Sequence, residues 1–161
     1  MKQIRVFIVQ FSLAIILFAN IYSCGNKYFF EDFQYVPEAE WHKDSAIVFD
    51  FLVSETTANF DMYINIRNNT NYRFSNLWLF IEIFQPGGEA VEDTFEIILA
   101  DPSGRWLGEG FAGLKTREAV YRRQFYFPVS GEYIVKVKHG MRQDILKGIN
   151  DVGIRISKVK S

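Results

Sequence analysis

Residues 60–67 alternate without a break: Phe60, Met62, Ile64 and Ile66 fall on one side of an extended chain, and Asp61, Tyr63, Asn65 and Arg67 on the other. A helix repeats its apolar positions every three to four residues. A period of two therefore reads as a strand with one buried face. The run Asn68-Asn69-Thr70-Asn71 ends it, because asparagine tolerates left-handed backbone and hydrogen-bonds to its own turn.

The same grammar recurs along the chain. Residues 46–53 are short, β-branched and aromatic, as a buried strand is. Residues 77–84 are the most apolar run of the body and read as a central strand, closed by Pro86-Gly87-Gly88. Residues 94–99 form another, followed by Asp101-Pro102-Ser103-Gly104 with proline and glycine where a type I turn prefers them. Residues 121–127 and 132–138 flank Pro128-Val129-Ser130-Gly131 and are expected to pair as a hairpin; in the second arm Tyr133, Val135 and Val137 alternate with Ile134, Lys136 and Lys138. With residues 29–35 opening the body and 152–159 closing it, about eight strands joined by short turns predict an all-β fold, an antiparallel β-sandwich. A closed barrel has the same strand signature and stays open as the alternative. Helix is confined to at most one short piece, a turn or two over 141–147 between the breakers Gly140 and Gly148.

The N-terminus has a different character. Lys2 and Arg5 precede an apolar stretch, residues 6–21, and Cys24, the only cysteine, stands just beyond it. A transmembrane helix needs about 20 apolar residues. Here Gln10, Ser12 and Asn20 interrupt the stretch, and only Lys27 follows where a basic stop-transfer cluster would be. An ordinary secretory signal ends in a small-x-small site, but Ile21 occupies the position three before a cut at Cys24. The order Ile21-Tyr22-Ser23-Cys24 instead resembles a bacterial lipoprotein signal. That resemblance implies a diacylglyceryl group on the Cys24 thiol, cleavage before it, and acylation of the new amine, as with palmitate. The competing reading leaves Cys24 unmodified at the end of a plain signal or anchor helix. The lipid reading explains a lone thiol that has no disulfide partner in an exported chain. Acyl chains contributing about 0.8 kcal/mol per buried CH₂ hold a protein on a membrane without a spanning helix. The expected organisation is a signal peptide over 1–23, a lipidated N-terminus and short tether over 24–28, and one sandwich domain over 29–161.

Charge and motif content narrow the function. Removing residues 1–23 takes away Lys2 and Arg5 and no acid, leaving 16 basic against 19 acidic residues. A body that mildly acidic gives no reason to expect nucleic acid as a partner. The two histidines, His42 and His139, have no partners at metal-ligand spacing and read as surface or strand-end residues. There is no Gly-x-Ser-x-Gly elbow, phosphate loop or dinucleotide fingerprint, and Gly104, Gly108 and Gly110 are followed by no helical pattern. Glu89, Glu92 and Asp93 read as a solvated turn rather than a calcium site, because nothing fixes the six to eight oxygens calcium takes. No catalytic residue, metal, cofactor or small-molecule substrate is expected. The aromatic content of 17% raises a rival class, a carbohydrate-binding β-sandwich of the cell envelope that stacks sugars on tryptophan. Trp78 lies in the apolar central run and reads as core; Trp106 is the better exposed candidate, or else the anchor of its own turn; the exposure of Trp41 is not fixed by its neighbours.

Three blocks then point to a family. Asn76-Leu77-Trp78-Leu79-Phe80-Ile81, the run Asp101-Pro102-Ser103-Gly104-Arg105-Trp106-Leu107-Gly108-Glu109-Gly110, and Gly140-Met141-Arg142 followed by Leu146-Lys147-Gly148-Ile149-Asn150-Asp151-Val152-Gly153-Ile154-Arg155 resemble GldH, a gliding-motility lipoprotein family. The resemblance covers nearly the whole chain, including the cysteine and the Phe-rich opening of the body. It implies a non-enzymatic envelope lipoprotein of Gram-negative gliding bacteria and their relatives, needed for gliding motility and the associated type IX protein secretion, acting as a scaffold with other motility lipoproteins. The expected contact residues are Arg105 and Trp106 in one loop and Met141 and Arg142 in another, each combining glycine, an apolar anchor and a charge. Gly25 follows the cysteine in place of an inner-membrane retention aspartate, so the anchor is expected in the outer membrane. Asn26-Lys27, rather than an acidic cluster, favours its periplasmic face over the cell surface.

Overall fold

The computed structural model describes residues 28–159. The signal segment 1–23 and the lipid-bearing Cys24 of the sequence reading lie outside the described residues.

Among the described residues ten strands form: β1 (Phe30–Tyr35), β2 (Glu40–His42), β3 (Ile47–Val53), β4 (Phe60–Asn68), β5 (Asn76–Phe84), β6 (Ala90–Ile98), β7 (Lys115–Phe125), β8 (Gly131–His139), β9 (Ile145–Lys147) and β10 (Ile149–Lys158), with a 3-10 turn at Pro37–Ala39. Two antiparallel four-stranded sheets, ordered β1-β10-β4-β7 and β3-β8-β5-β6, make the sandwich, and β2 pairs with β9 as a small third sheet. Alternation decides what is inside. From the first sheet Phe60, Met62, Ile64 and Ile66 of β4 and Val152, Ile154 and Ile156 of β10 are buried, and they meet Leu77, Leu79, Ile81, Ile83, Tyr133, Val135 and Val137 of the second.

Several local expectations are corrected. Residues 121–127 and 132–138 do not form a hairpin: β7 pairs with β4, while β8 pairs with β3 and β5. The link 126–130 crosses between sheets because Phe127 drops into the core against Phe51, Phe60 and Tyr133. No helix occupies 141–147; Ile145–Lys147 is strand β9, which buries Leu146 beside Trp41 and returns through Gly148, whose φ is +92°. Trp78 is not core but points outward, since Leu77 and Leu79 hold the inward positions on either side of it. His139 is buried, not a surface residue. The edge strands β6 and β7 begin at Ala90 and Lys115, well before their apolar stretches, because an edge strand needs partners for its backbone but little apolar side chain.

The connections sort into two ends. Residues 36–46, 69–75, 99–114 and 140–148 all cross from one sheet to the other at the same end. The opposite end carries the shorter links 54–59, 85–89 and 126–130. The chain enters the body at this second, entry end: the Phe29 ring lies 4.9 Å from Phe60 and 6.3 Å from Phe127. Nine-residue strands at about 3.3 Å per residue separate the entry end from the far end by about 30 Å.

Candidate interaction surface

All four expected contact residues fall on the far end. In the connection 99–114, Asp101 organises the turn: its Oδ1 accepts the backbone N–H of Ser103 (2.9 Å) and of Arg105 (3.0 Å) and the Ser103 hydroxyl (2.6 Å), while its Oδ2 accepts Arg105 Nε at 3.1 Å. These donors, the Ser103 hydroxyl first, hold the Asp101 carboxyl below the usual carboxylate range. Arg105 is thus a positioned but exposed cation. Trp106 is half-buried, 6.5 Å from the Tyr72 ring and bridged to Ala100, so its bulk anchors the loop.

The next seven residues make a tight loop with Phe111 near its tip. Glu109 and Thr116 exchange backbone hydrogen bonds at 3.0 and 2.7 Å, and Leu114 N–H bonds back to the Phe111 carbonyl at 3.1 Å. A Cβ on Gly110 would lie 2.1 Å from the Leu114 carbonyl oxygen, so only glycine closes this loop. Ala112 takes a φ of +51° without being glycine. Such backbone costs roughly 1–3 kcal/mol and tends to gather at functional positions. Phe111 stands 90% exposed. The sequence reading of this loop stopped at Gly110 and missed Phe111; the bracket Gly110-Phe111-Ala112-Gly113 was the available signal.

Met141 and Arg142 sit on the neighbouring connection, where the structure brings Gly140 and Met141 to Trp78 and Phe80 and leaves Arg142 exposed next to them. Gly140 N–H donates to the Trp78 carbonyl at 2.7 Å, and the Trp78 N–H points at the Met141 sulfur at 3.4 Å. The Phe80 ring lies so close over Gly140 that a Cβ there would be 3.1 Å from it. Trp78 is 39% and Phe80 50% exposed on the outer face of β5, with Ile98 exposed diagonally across on β6. Glu96, Thr94 and Lys138 rim this apolar patch, and the exposed Arg142 follows Met141 in sequence. Aromatic residues, methionine and arginine over a polar rim match the composition of interface cores. Tyr72 lies beside both connections, its ring 6.5 Å from Trp106 and its backbone against Gly148; its hydroxyl donates to the Asn76 carbonyl at 2.7 Å, and burial raises its pKa. Beside them a cleft of about 810 Å³ opens between Glu38, Arg73, Phe74 and Lys147.

Of the acids Glu89, Glu92 and Asp93, Asp93 is engaged within the sheet region. Asp93 accepts the Tyr121 hydroxyl at 3.0 Å and faces Arg122 at 3.5 Å; burial is the main cause that pushes the Tyr121 pKa up to about 12. Among the described residues no three His, Cys, Asp or Glu side chains converge as metal ligands. Trp41 is buried, with its indole N–H donating to the Ser45 carbonyl at 2.9 Å.

A family model described as GldH lipoprotein matches residues 28–156. The "Gliding motility lipoprotein GldH homolog" of Christiangramia forsetii is 41% identical over 155 residues, covering 92% of this chain and 93% of that protein. The "Gliding motility lipoprotein GldH" of Flavobacterium johnsoniae is 37% identical over 145 residues, covering 86% and 89%. Among solved structures, a carbohydrate-binding module specific for non-crystalline cellulose has a TM-score of 0.46 at 11% identity, covering 84% of this chain and 94% of its own, too distant a likeness to assign a role.

Proposed function

This chain belongs to the GldH lipoprotein family, and on that premise we propose that it is a non-enzymatic, lipid-anchored scaffold of the cell envelope. It serves gliding motility and the associated type IX protein secretion by docking other envelope lipoproteins. The anchor is the lipid on Cys24, in the outer membrane and on its periplasmic face, as Gly25 and Asn26-Lys27 favour. No cofactor or small-molecule substrate takes part.

The observation that carries this reading is the placement of exposed apolar side chains at the far end. Trp78, Phe80 and Phe111 are solvent-facing within or beside the connections that hold Met141, Arg142 and Arg105. Rigid aromatic side chains bury large area at little entropic cost on association, and arginine orients them. A chain in which Trp78→Ala and Arg142→Ala are combined is expected to stay folded and lipidated. Its recovery of envelope lipoproteins from mild detergent, measured by mass spectrometry against wild type, is expected to fall at least about tenfold, the loss of one hot spot. Unchanged recovery would sink the proposal.

One observation favours a second reading. Trp78 and Phe80 present two aromatic faces in one row of β5, between Lys138 and Thr94, a pattern that also suits stacking of a carbohydrate. A saturable quench of tryptophan fluorescence by an envelope polysaccharide, lost in Trp78→Ala, would favour it; a flat titration across a broad glycan panel removes it.

A further inference from the structure

The entry end carries exposed apolar side chains that partner docking at the far end does not use. In the crossover 126–130, Tyr126 is 63% exposed and Pro128 and Val129 also face solvent, while Phe127 between them is buried. Leu52, 72% exposed, joins them: it pairs across from Glu132, next to the Val53–Gly131 pair that begins β8.

This loop is held rigidly from below. The Phe127 ring lies 4.8 Å from Tyr133, 5.0 Å from Phe125 and 5.3 Å from Phe60, and the Tyr133 hydroxyl donates to the Val129 carbonyl at 2.9 Å. The same ring is 6.3 Å from Phe29, so the polypeptide enters the body one side chain away from the loop. Cys24 precedes Tyr28 by four residues. At 3.3–3.6 Å per residue that tether reaches about 14 Å at most.

We propose that Leu52, Tyr126, Pro128 and Val129 form a membrane-contacting rim, seated at the headgroup boundary of the bilayer that holds the lipid on Cys24. The inference rests on the lipid-anchor reading above. A tether this short keeps the entry end at a high effective concentration beside the bilayer, so even a weak apolar contact is occupied. Tyrosine suits that layer because its ring is apolar and its hydroxyl wet. A loop already fixed by Phe127 and Tyr133 loses little entropy on contact. The consequence is orientation: the sandwich stands on its entry end, with Phe111 and Trp78 aimed away from the anchoring bilayer.

The test uses the full lipidated chain in phosphatidylethanolamine and phosphatidylglycerol vesicles. Cys24 carries its lipid through sulfur, so Val129→Cys, Tyr126→Cys and Phe111→Cys each add the one thiol free to take an environment-sensitive NBD probe. With nitroxide-labelled lipid, the probes at 129 and 126 are expected to lose about half or more of their emission, as seating about 5–10 Å into the interface implies. The probe at 111 is expected to lose almost none. A lipidated chain whose probes at 129 and 126 stay unquenched overturns the rim alone. So does emission that is blue-shifted equally in detergent and vesicles but unquenched, which marks a protein neighbour at this loop. Equal quenching at 111 means a body lying flat and also overturns it. An intact mass without lipid on Cys24 overturns the anchor reading and the rim together.

Discussion

His139 is 3% exposed, and its Nε2–H donates to the Trp41 carbonyl at 3.1 Å, which leaves Nδ1 buried without a hydrogen-bond partner. Burial holds its pKa below the ordinary 6.5; the bond to Trp41 opposes the shift and the nearby His42 adds to it. The unfolded chain therefore takes up this proton more readily than the native one. The stability contributed by the neutral ring is full above about pH 6.5 and is lost as pH falls through that value toward the folded pKa. His139→Gln keeps a donor for Trp41 and cannot titrate. Denaturant unfolding at about pH 7.5 and about pH 5.5 is expected to show a smaller acid loss in this variant than in wild type; equal losses would mean that the ring is not held neutral. Phe111→Ser makes the opposite kind of prediction. Stability is expected to change by less than about 0.5 kcal/mol, because nothing packs on the ring, while partner recovery falls. Of these two residues the sequence offered little: a lone histidine at a strand end carries no mark of burial, and Phe111 is legible only through its flanking glycines. Trp78 was misread as core, because every residue from Leu77 to Ile81 is apolar and alternation alone does not say which face is buried; Glu82, on the same face as Trp78, was the available sign.

Elements were read well where burial imposes a period and poorly where pairing is set by distant partners. The alternation of β4 and β8 follows directly from the residues, because each has one face in the core. The turn chemistry of Pro128-Val129-Ser130-Gly131 announces a change of direction, but it does not say which sheet receives the next strand. Phe127 makes that decision by packing between the sheets, so Phe127→Ala is expected to cost about 3–5 kcal/mol in denaturant unfolding. β9 escaped notice because three residues are too few to show a period. Its signal was Gly148, which sits at φ +92° with space for a Cβ only 2.3 Å from the Tyr72 nitrogen. Gly148→Ala is expected to destabilise by at least about 2 kcal/mol, measured the same way, through strain and collision with backbone that cannot yield. A loss under about 0.5 kcal/mol would mean that the β9 to β10 return adapts freely.

Taken as a whole, the molecule has two ends of different character. Short links and an aromatic cluster of Phe29, Phe51, Phe60 and Phe127 mark the end where the chain enters, and four longer crossovers mark the other, with exposed Phe111 on one of them and exposed Trp78 and Phe80 beside them on β5. The proposed anchor rests on the chemistry of Ile21-Tyr22-Ser23-Cys24 alone, which lies outside the described residues. The gathering of Arg105, Trp106, Met141 and Arg142 at one end was not legible, because residues 105 and 142 share that end only through sheet topology. Cys24→Ser is expected to leave a chain that carries no lipid by intact mass, is lost from the outer-membrane fraction and has a body of unchanged melting temperature. The central claim is that partners dock on the far end of an anchored body, and site-specific photo-crosslinking in intact cells tests it most directly. With the crosslinker at Phe111 or Arg142, adducts to other envelope lipoproteins are predicted, and with it at the exposed Thr57 of the entry end, none. Adducts to those proteins from Thr57 with no product from 111 or 142 would contradict the account.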